Sequence, residues 1–247
     1  MTDDWDFYFL RVDDKPASIY VDLGAHRSAP NPKLPHMAYV RLHMREPRDD
    51  GLSSQGEFDA LVAVEDALKA TLVDADTDYV GRCTTNFCRD FFFYVSHPEA
   101  WPMRIAACMR SFSGYQYEVD TREEPDWSSY LSYLYPSDAD RQTIQNRRVC
   151  EALERHGDKL SDAREIDHWA YFADPQSLNA YVAEAQDLGF KVRVVSAPDE
   201  MRNNHCAQLW RSDIPAFHTI DDVTLPLFDL AAKHGGEYDG WESIVVT

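Results

Sequence analysis

The clearest alternation in the chain is Met37–Met44. Ala38, Val40, Leu42 and Met44 fall on one side, and Met37, Tyr39, Arg41 and His43 on the other. That period of two predicts a strand with one buried face. Ahead of it, Trp5–Arg11 and Ala17–Leu23 are extended and apolar-rich. Asp13-Asp14-Lys15-Pro16 between them reads as a turn, so the pair predicts a hairpin. Ala25–Pro35 is proline-rich and reads as a loop. After the polar stretch Arg48–Gly56, residues Phe58, Leu61, Val62, Glu65, Leu68 and Leu72 have mostly helical spacing. Asp78–Thr84 and Arg89–Val95 predict a strand pair joined through Thr85-Asn86. Ser96 is placed to cap a short helix on which Trp101, Ile105, Cys108, Met109 and Phe112 line up, and Tyr115–Asp120 predicts a last strand. From Met37 onward the order is β-α-β-β-α-β, the split β-α-β pattern of the ferredoxin-like fold.

Arg122–Pro136, acidic and aromatic, reads as a connector. Ser137 with Asp140 has the form of a capping box, opening a helix that carries Ile144, Cys150 and Leu153 and ends at His156-Gly157. The order then repeats. Glu165–Phe172 predicts a strand. Asp174 caps a helix with Pro175 at its first position and an apolar stripe of Leu178, Tyr181, Val182, Ala185 and Leu188, ended by Gly189. Phe190–Ser196 alternates Phe190, Val192 and Val194 against Lys191, Arg193 and Val195, and Cys206–Arg211 is the next strand. A helix from about Thr219 or Leu225 runs to His234, and Glu237–Val246 closes the sheet. Pro226 predicts that this helix starts late or bends. The fold class expected is α+β, with two ferredoxin-like domains of antiparallel strands, the first extended by the N-terminal hairpin. The domains expected are residues 1–135 and 136–247.

In such a fold both helices cover one face of the sheet and the other face needs an occupant. In the second half that face would show Asp167, Trp169, Tyr171, Lys191, Arg193, Gln208 and Trp210. In the first it would show Tyr39, Arg41, His43, Phe92 or Phe93, and Tyr115. An aromatic surface of this size marks a contact. It is covered by the other half of the chain or by a second copy in a homo-oligomer. Alternatively Trp169, Tyr171 and Trp210, with Lys191 and Arg193, form an aromatic-plus-basic platform for single-stranded RNA.

Charge bears on that choice. The 247 residues carry a net charge of −19, and both halves are acidic. Phosphate backbones are repelled on average, so direct nucleic-acid binding is not expected, and a basic protein surface is attracted. Nothing after Met1 resembles a signal peptide, and no apolar run approaches the roughly 20 residues that span a bilayer. The five cysteines lack framework spacing, which fits a reducing cytoplasm with no membrane partner.

The densest motif is Lys233-His234-Gly235-Gly236-Glu237-Tyr238-Asp239-Gly240-Trp241-Glu242-Ser243. The paired glycines suit a helix C-cap, and Asp239-Gly240 a bulge. Glu237, Tyr238, Asp239, Gly240, Trp241 and Glu242 are the candidate partner-binding residues. The carboxylates could grip an arginine-rich segment while Trp241 or Tyr238 stacks on a guanidinium. Equally, Trp241 could be core and Asp239-Gly240 only a bulge. Cys83 and Cys88 flank a turn and could face each other across it, with a redox or metal role alongside His43, or as a plain half-buried pair. No nucleophile elbow, phosphate-cradling glycine loop or His-Glu-x-x-His occurs, so no catalytic residue, metal or cofactor is assigned. A hydrolase assembled from distant residues would leave no local trace.

Several segments carry a resemblance: the helix Arg141–Gly157, the strand Ile166–Phe172, the run Ser177–Val192, and above all Leu230–Trp241 with its Glu-Tyr-Asp-Gly-Trp sequence. Together they resemble the regulator of ribonuclease E activity B family. Trp5–Tyr135 is similar to a bacterial domain of unknown function that often precedes it. The resemblance implies a small acidic ferredoxin-like protein that binds the RNA-degrading endonuclease and restrains it without chemistry of its own. This chain departs from the pattern in its additional domain, in Pro226, and in lacking the long acidic tail. The expected function is a cytoplasmic, non-enzymatic interaction module acting on a basic segment of a ribonuclease E-type endoribonuclease. A single-stranded RNA binder is the alternative, and an uncharacterised hydrolase a lesser one.

Overall fold

The structure, a computed structural model, describes residues 2–198 and 203–247. It divides into two compact units at Pro136/Ser137. The first contains β1 (Trp5–Val12), β2 (Lys15–Asp22), β3 (His36–His43), α1 (Phe58–Leu72), β4 (Thr77–Thr85), β5 (Cys88–Val95), α2 (Trp101–Met109) and β6 (Gln116–Glu123). All neighbouring strands are antiparallel, in the order β1-β2-β4-β5-β3-β6. The four strands β4-β5-β3-β6 have the ferredoxin-like arrangement, and the N-terminal hairpin extends it by pairing β2 with β4. Both hairpins turn through two residues with positive φ, Asp13-Asp14 and Asn86-Phe87. That geometry matches the right-handed twist of the strands they join.

The side chains of β3 divide as their alternation requires. Ala38, Val40 and Leu42 meet Leu61, Leu68, Phe91, Phe93, Trp101 and Ile105 in the core under α1 and α2. Tyr115 belongs to this helix-side core, not to the far face, because β6 begins one residue later; Arg45 lies over its ring at 4.3 Å. Ser96 does not cap α2. Its hydroxyl is buried, and a 3-10 turn at Pro98–Ala100 leads into the helix instead. Cys83 and Cys88 do not face each other: Cys83 is opposite Asp90 and Cys88 is opposite Thr85.

The far face of this sheet is covered by the unit's own chain. The stretch expected to be a connector folds back as a π-helical turn at Ser129–Leu134. Trp127 stacks on Tyr94 at 4.0 Å with the rings 7° apart, and its Nε1 donates to the carbonyl of Leu34 at 2.9 Å. Tyr130 donates to the Asp22 carbonyl, and Tyr8 to that of Leu134. Glu124, buried, accepts from the Tyr94 hydroxyl, the Ser129 amide and Arg122. Indoles and phenols suit this position because they bury large apolar area while keeping a polar tip to bond backbone.

The second unit contains α3 (Asp138–Arg155), β7 (Arg164–Phe172), α4 (Pro175–Asp187), β8 (Lys191–Ser196), β9 (His205–Asp213), α5 (Ile220–Lys233) and β10 (Glu237–Ser243). Its antiparallel sheet has the order β10-β7-β9-β8, again ferredoxin-like. Ser137 and Asp140 form the reciprocal capping box on α3, and Asp174 accepts from the amides of Gln176 and Ser177 at the start of α4. α5 begins at Ile220, well ahead of Pro226, which lies inside it. A bulge between Val192 and Val194 resets the alternation of β8. Val194 therefore stands opposite Gln208 on the open face, and Val195 opposite Ala207 on the helix side. A buried ion pair, Arg164 to Asp158 at 2.5 Å, ties the loop after α3 to β7, and Asp158 also accepts from the amide of Val246.

Because Trp127 is fully packed, Trp127→Ala should destabilise the first unit by about 3–5 kcal/mol. Urea unfolding followed by near-ultraviolet circular dichroism measures this. A loss below about 1 kcal/mol, the range of ordinary surface changes, would mean that the folded-back segment is not part of the core.

Candidate functional site

β10 is positioned from both ends. At its start, α5 stops in a Schellman arrangement: the Gly236 amide donates to the Ala231 carbonyl at 2.8 Å, and that of Gly235 to Ala232 at 3.0 Å. Gly235 takes the left-handed conformation this requires, and a Cβ on Gly236 would come within 2.2 Å of the Phe172 ring. Within the strand, the register shifts between Tyr238 and Gly240, where Gly240 has φ +111°. The bulge leaves Tyr238 and Trp241 both pointing to the helix side.

Those two rings are therefore core, each 7% exposed, and neither can stack on a partner's arginine in this fold. Their polar tips are held inside. Trp241 Nε1 donates to Asn146 Oδ1 at 2.9 Å. The fully buried Asn146 also accepts from Gln142 Nε2 and donates to Asp221 and to the Thr224 hydroxyl. Every hydrogen-bonding position of the amide is used. Tyr238 bonds His168 Nδ1 at 2.8 Å. Burial, with Arg211 nearby, pushes His168 down to about 3, so the imidazole is neutral.

The three carboxylates of the motif face outward. Glu237, Asp239 and Glu242 are exposed. The register places Glu237 opposite Tyr171, Gly240 opposite Trp169, and Glu242 opposite Asp167. On the other side of β7, Trp169 is opposite Gln208 and Asp167 opposite Trp210. Two groups read from the sequence as separate candidate sites thus share one sheet face, with Trp169, Tyr171 and Trp210 half-buried upon it. Glu165 joins them and was not singled out from the sequence, although it lies two residues before Asp167 on an alternating strand.

This face already holds one cation pair. Arg193 donates to Asp167 at 2.5 Å and to Glu165 at 2.6 Å, and its guanidinium lies 5.2 Å from the Trp210 ring, where Lys191 also sits at 4.5 Å. The bonds to Glu165 and then Asp167 raise its pKa. Glu165, Asp167, Arg193, Glu242, Ser243 and Ile244 line a shallow hollow of about 610 Å³. Chemically, the face is suited to holding guanidinium and ammonium groups against carboxylates and rings. Among the described residues, no group of three or more His, Cys, Asp or Glu could hold a metal ion, and no helix is long and apolar enough to cross a membrane.

The inward half of β10 can be tested at two residues. Asn146→Ala strands Trp241 Nε1 and the Gln142 amide, and should cost about 2–4 kcal/mol of unfolding free energy; Asn146→Asp should cost more, because it sets a second carboxylate against Asp221. Denaturant melts of both variants measure this, and equal stability to the parent would remove the central role of Asn146. The second is His168. It stays neutral when folded down to about pH 3, whereas an unfolded imidazole takes up its proton near about 6.5. The unfolded state binds the extra proton between those values, so stability is lost as pH falls through that window and is unaffected by this group above it. His168→Gln should flatten the pH slope of stability between about pH 6 and 4 by close to one proton; an unchanged slope would place His168 elsewhere than a buried neutral site.

No curated protein matches this chain. Two solved structures each cover 85% of it, and 98% of their own chain is covered. One is an unknown protein from Galdieria sulphuraria, at 13% identity and TM-score 0.24. The other is described as a candidate glycine cleavage system transcriptional repressor, at 10% identity and TM-score 0.22. At these scores the likeness carries no weight, and the fold rests on the strand order of the chain itself. Residues 143–243 match the family described as regulator of ribonuclease activity B. Residues 3–135 match a family of unknown function, DUF695. The chain therefore belongs to the DUF695 family and carries a regulator of ribonuclease activity B domain as its second unit.

Proposed function

We propose that the second unit binds a basic segment of a ribonuclease E-type endoribonuclease on its open sheet face, and regulates that enzyme by occupancy without chemistry of its own. The observation that carries this reading is the gathering of Glu165, Asp167, Glu237 and Glu242 beside Trp169, Tyr171 and Trp210, within a domain of the ribonuclease-regulator family. Arg193 supplies the internal precedent, since its guanidinium is gripped by two carboxylates next to an indole. A partner's arginine would meet the same chemistry of carboxylates beside rings at Glu237, Glu242, Trp169 and Tyr171. The net charge of −19 adds long-range attraction to such a segment and speeds encounter.

Lys191 and Arg193 over Trp210 favour a second reading, a single-stranded RNA platform. The carboxylates on the same face oppose it, since each would meet phosphate at close range.

The test is calorimetric titration of the full chain with a purified ribonuclease E-type enzyme at two salt concentrations. Salt-sensitive binding is expected, with Glu237→Gln/Glu242→Gln weakening it by at least about tenfold, in line with charged contacts at an interface. No binding, or binding indifferent to the double variant, would end this reading. In a parallel gel shift with single-stranded RNA, any affinity that persists in Trp169→Ala and Trp210→Ala would remove the RNA reading.

A further inference from the structure

The first unit holds a thiol, an imidazole and a carboxylate in line across three neighbouring strands. Cys88 opens β5, His43 closes β3 directly opposite it, and Glu118 lies on β6. Cys88 Sγ is 3.6 Å from His43 Nδ1, and His43 Nε2 is 2.8 Å from Glu118 Oε1. An ionised carboxylate only accepts hydrogen bonds, so a neutral His43 carries its proton on Nε2 and leaves Nδ1 open toward the sulfur. That is the arrangement of a nucleophile, its base and the group that orients the base.

The sulfur also faces a space. Cys88, Arg41, Asp90, Tyr133, Lys15 and Asp13 line a pocket of about 430 Å³. Its charges cancel in kind: two cations against two carboxylates, with Arg41 bonded in bidentate fashion to Asp90 and Lys15 to Asn86. The other four cysteines of the chain are buried, and Cys88 alone is half-exposed.

We propose that Cys88 is a nucleophilic modification site for small uncharged carbon electrophiles, with His43 as its general base and Glu118 as the residue that positions His43.

Burial raises the Cys88 thiol above its ordinary range, with Arg41 pulling it down and Asp90 and Glu118 pushing it up. The thiol is therefore protonated at rest, and reaction needs His43 to take the proton as the new bond forms. With iodoacetamide as probe, an S–C bond forms, the C–I bond breaks, and iodide leaves with its electron pair. The thiol proton passes to His43 Nδ1 and then to water. The groups that face this pair are Arg41 on β3, Asp90 on β5, Glu118 on β6, Tyr133 on the folded-back segment, and Asp13 and Lys15 at the hairpin turn.

The experiment is iodoacetamide labelling of the full folded chain, with the rate at each cysteine read by peptide mass spectrometry from about pH 5 to 9. Cys88 should label first, and its rate should already rise with pH below the range in which its own thiol titrates. His43→Gln should slow Cys88 by at least about a hundredfold, the lower end for loss of a general base, and should move the rise to the thiol's own titration. Glu118→Gln should give an intermediate rate. His43 and Glu118 are surface side chains, and circular dichroism checks that both variants fold. A Cys88 rate within twofold of the parent in His43→Gln, or a parent profile governed only by thiol titration, would overturn the proposal. An unchanged rate in Glu118→Gln would remove Glu118 from it.

Discussion

The second unit hangs on one amide. Asn146, on α3, accepts from Trp241 of β10 and donates to Asp221 and Thr224 of α5. A helix outside the ferredoxin-like core thereby fixes which way the last strand faces. Successive strand side chains point to opposite faces. Holding Trp241 inward commits Glu242 to the outside, and the bulge before it lets Tyr238 turn inward as well. The carboxylate face is the reverse side of a buried hydrogen-bond network. The network is fully satisfied, which is the condition under which buried polar groups specify one arrangement and do not cost stability.

The two sheets solve the same topological problem differently. Each has one face under two helices and another face that must be covered or wetted. In the first unit, the chain past β6 returns across the far face, and Trp127, Tyr130 and Leu134 bury there with their polar atoms bonded to backbone. In the second, the corresponding face holds charges, and its rings stay half-buried, Trp210 under Lys191 and Arg193. The first face is closed by its own aromatics, whereas the second keeps paired charges on half-exposed rings, the surface we propose for a partner's basic segment.

Electrostatics separates the units further. On the second sheet, carboxylates outnumber cations and Arg193 neutralises only part of them. At the end of the first sheet, Lys15 and Arg41 balance Asp13 and Asp90 around a half-exposed thiol. The surface proposed for a cationic segment keeps an excess of negative charge, and the pocket beside Cys88 is balanced. The acidic excess of the whole chain assists only the former, since a small uncharged molecule does not feel it.

Periodicity and turn chemistry made most of the fold legible in the sequence. The alternation of β3 and β7, the Ser137–Asp140 box, the Asp174-Pro175 start and the paired glycines after α5 are local signals set by backbone sterics and capping. They fixed both β-α-β-β-α-β orders and the resemblance of the second half. The Glu237–Glu242 motif was legible as a motif, but not which of its members face out. Only tertiary structure decided that, because the bulge at Asp239-Gly240 and the Asn146 bond, 95 residues distant in the chain, set the direction of each side chain. The same holds for the bulge that turned Val194 outward, the fold-back of Trp127, and the line Cys88–His43–Glu118. Each joins residues far apart in sequence through strand register, and register is a property of paired strands that no single strand carries alone.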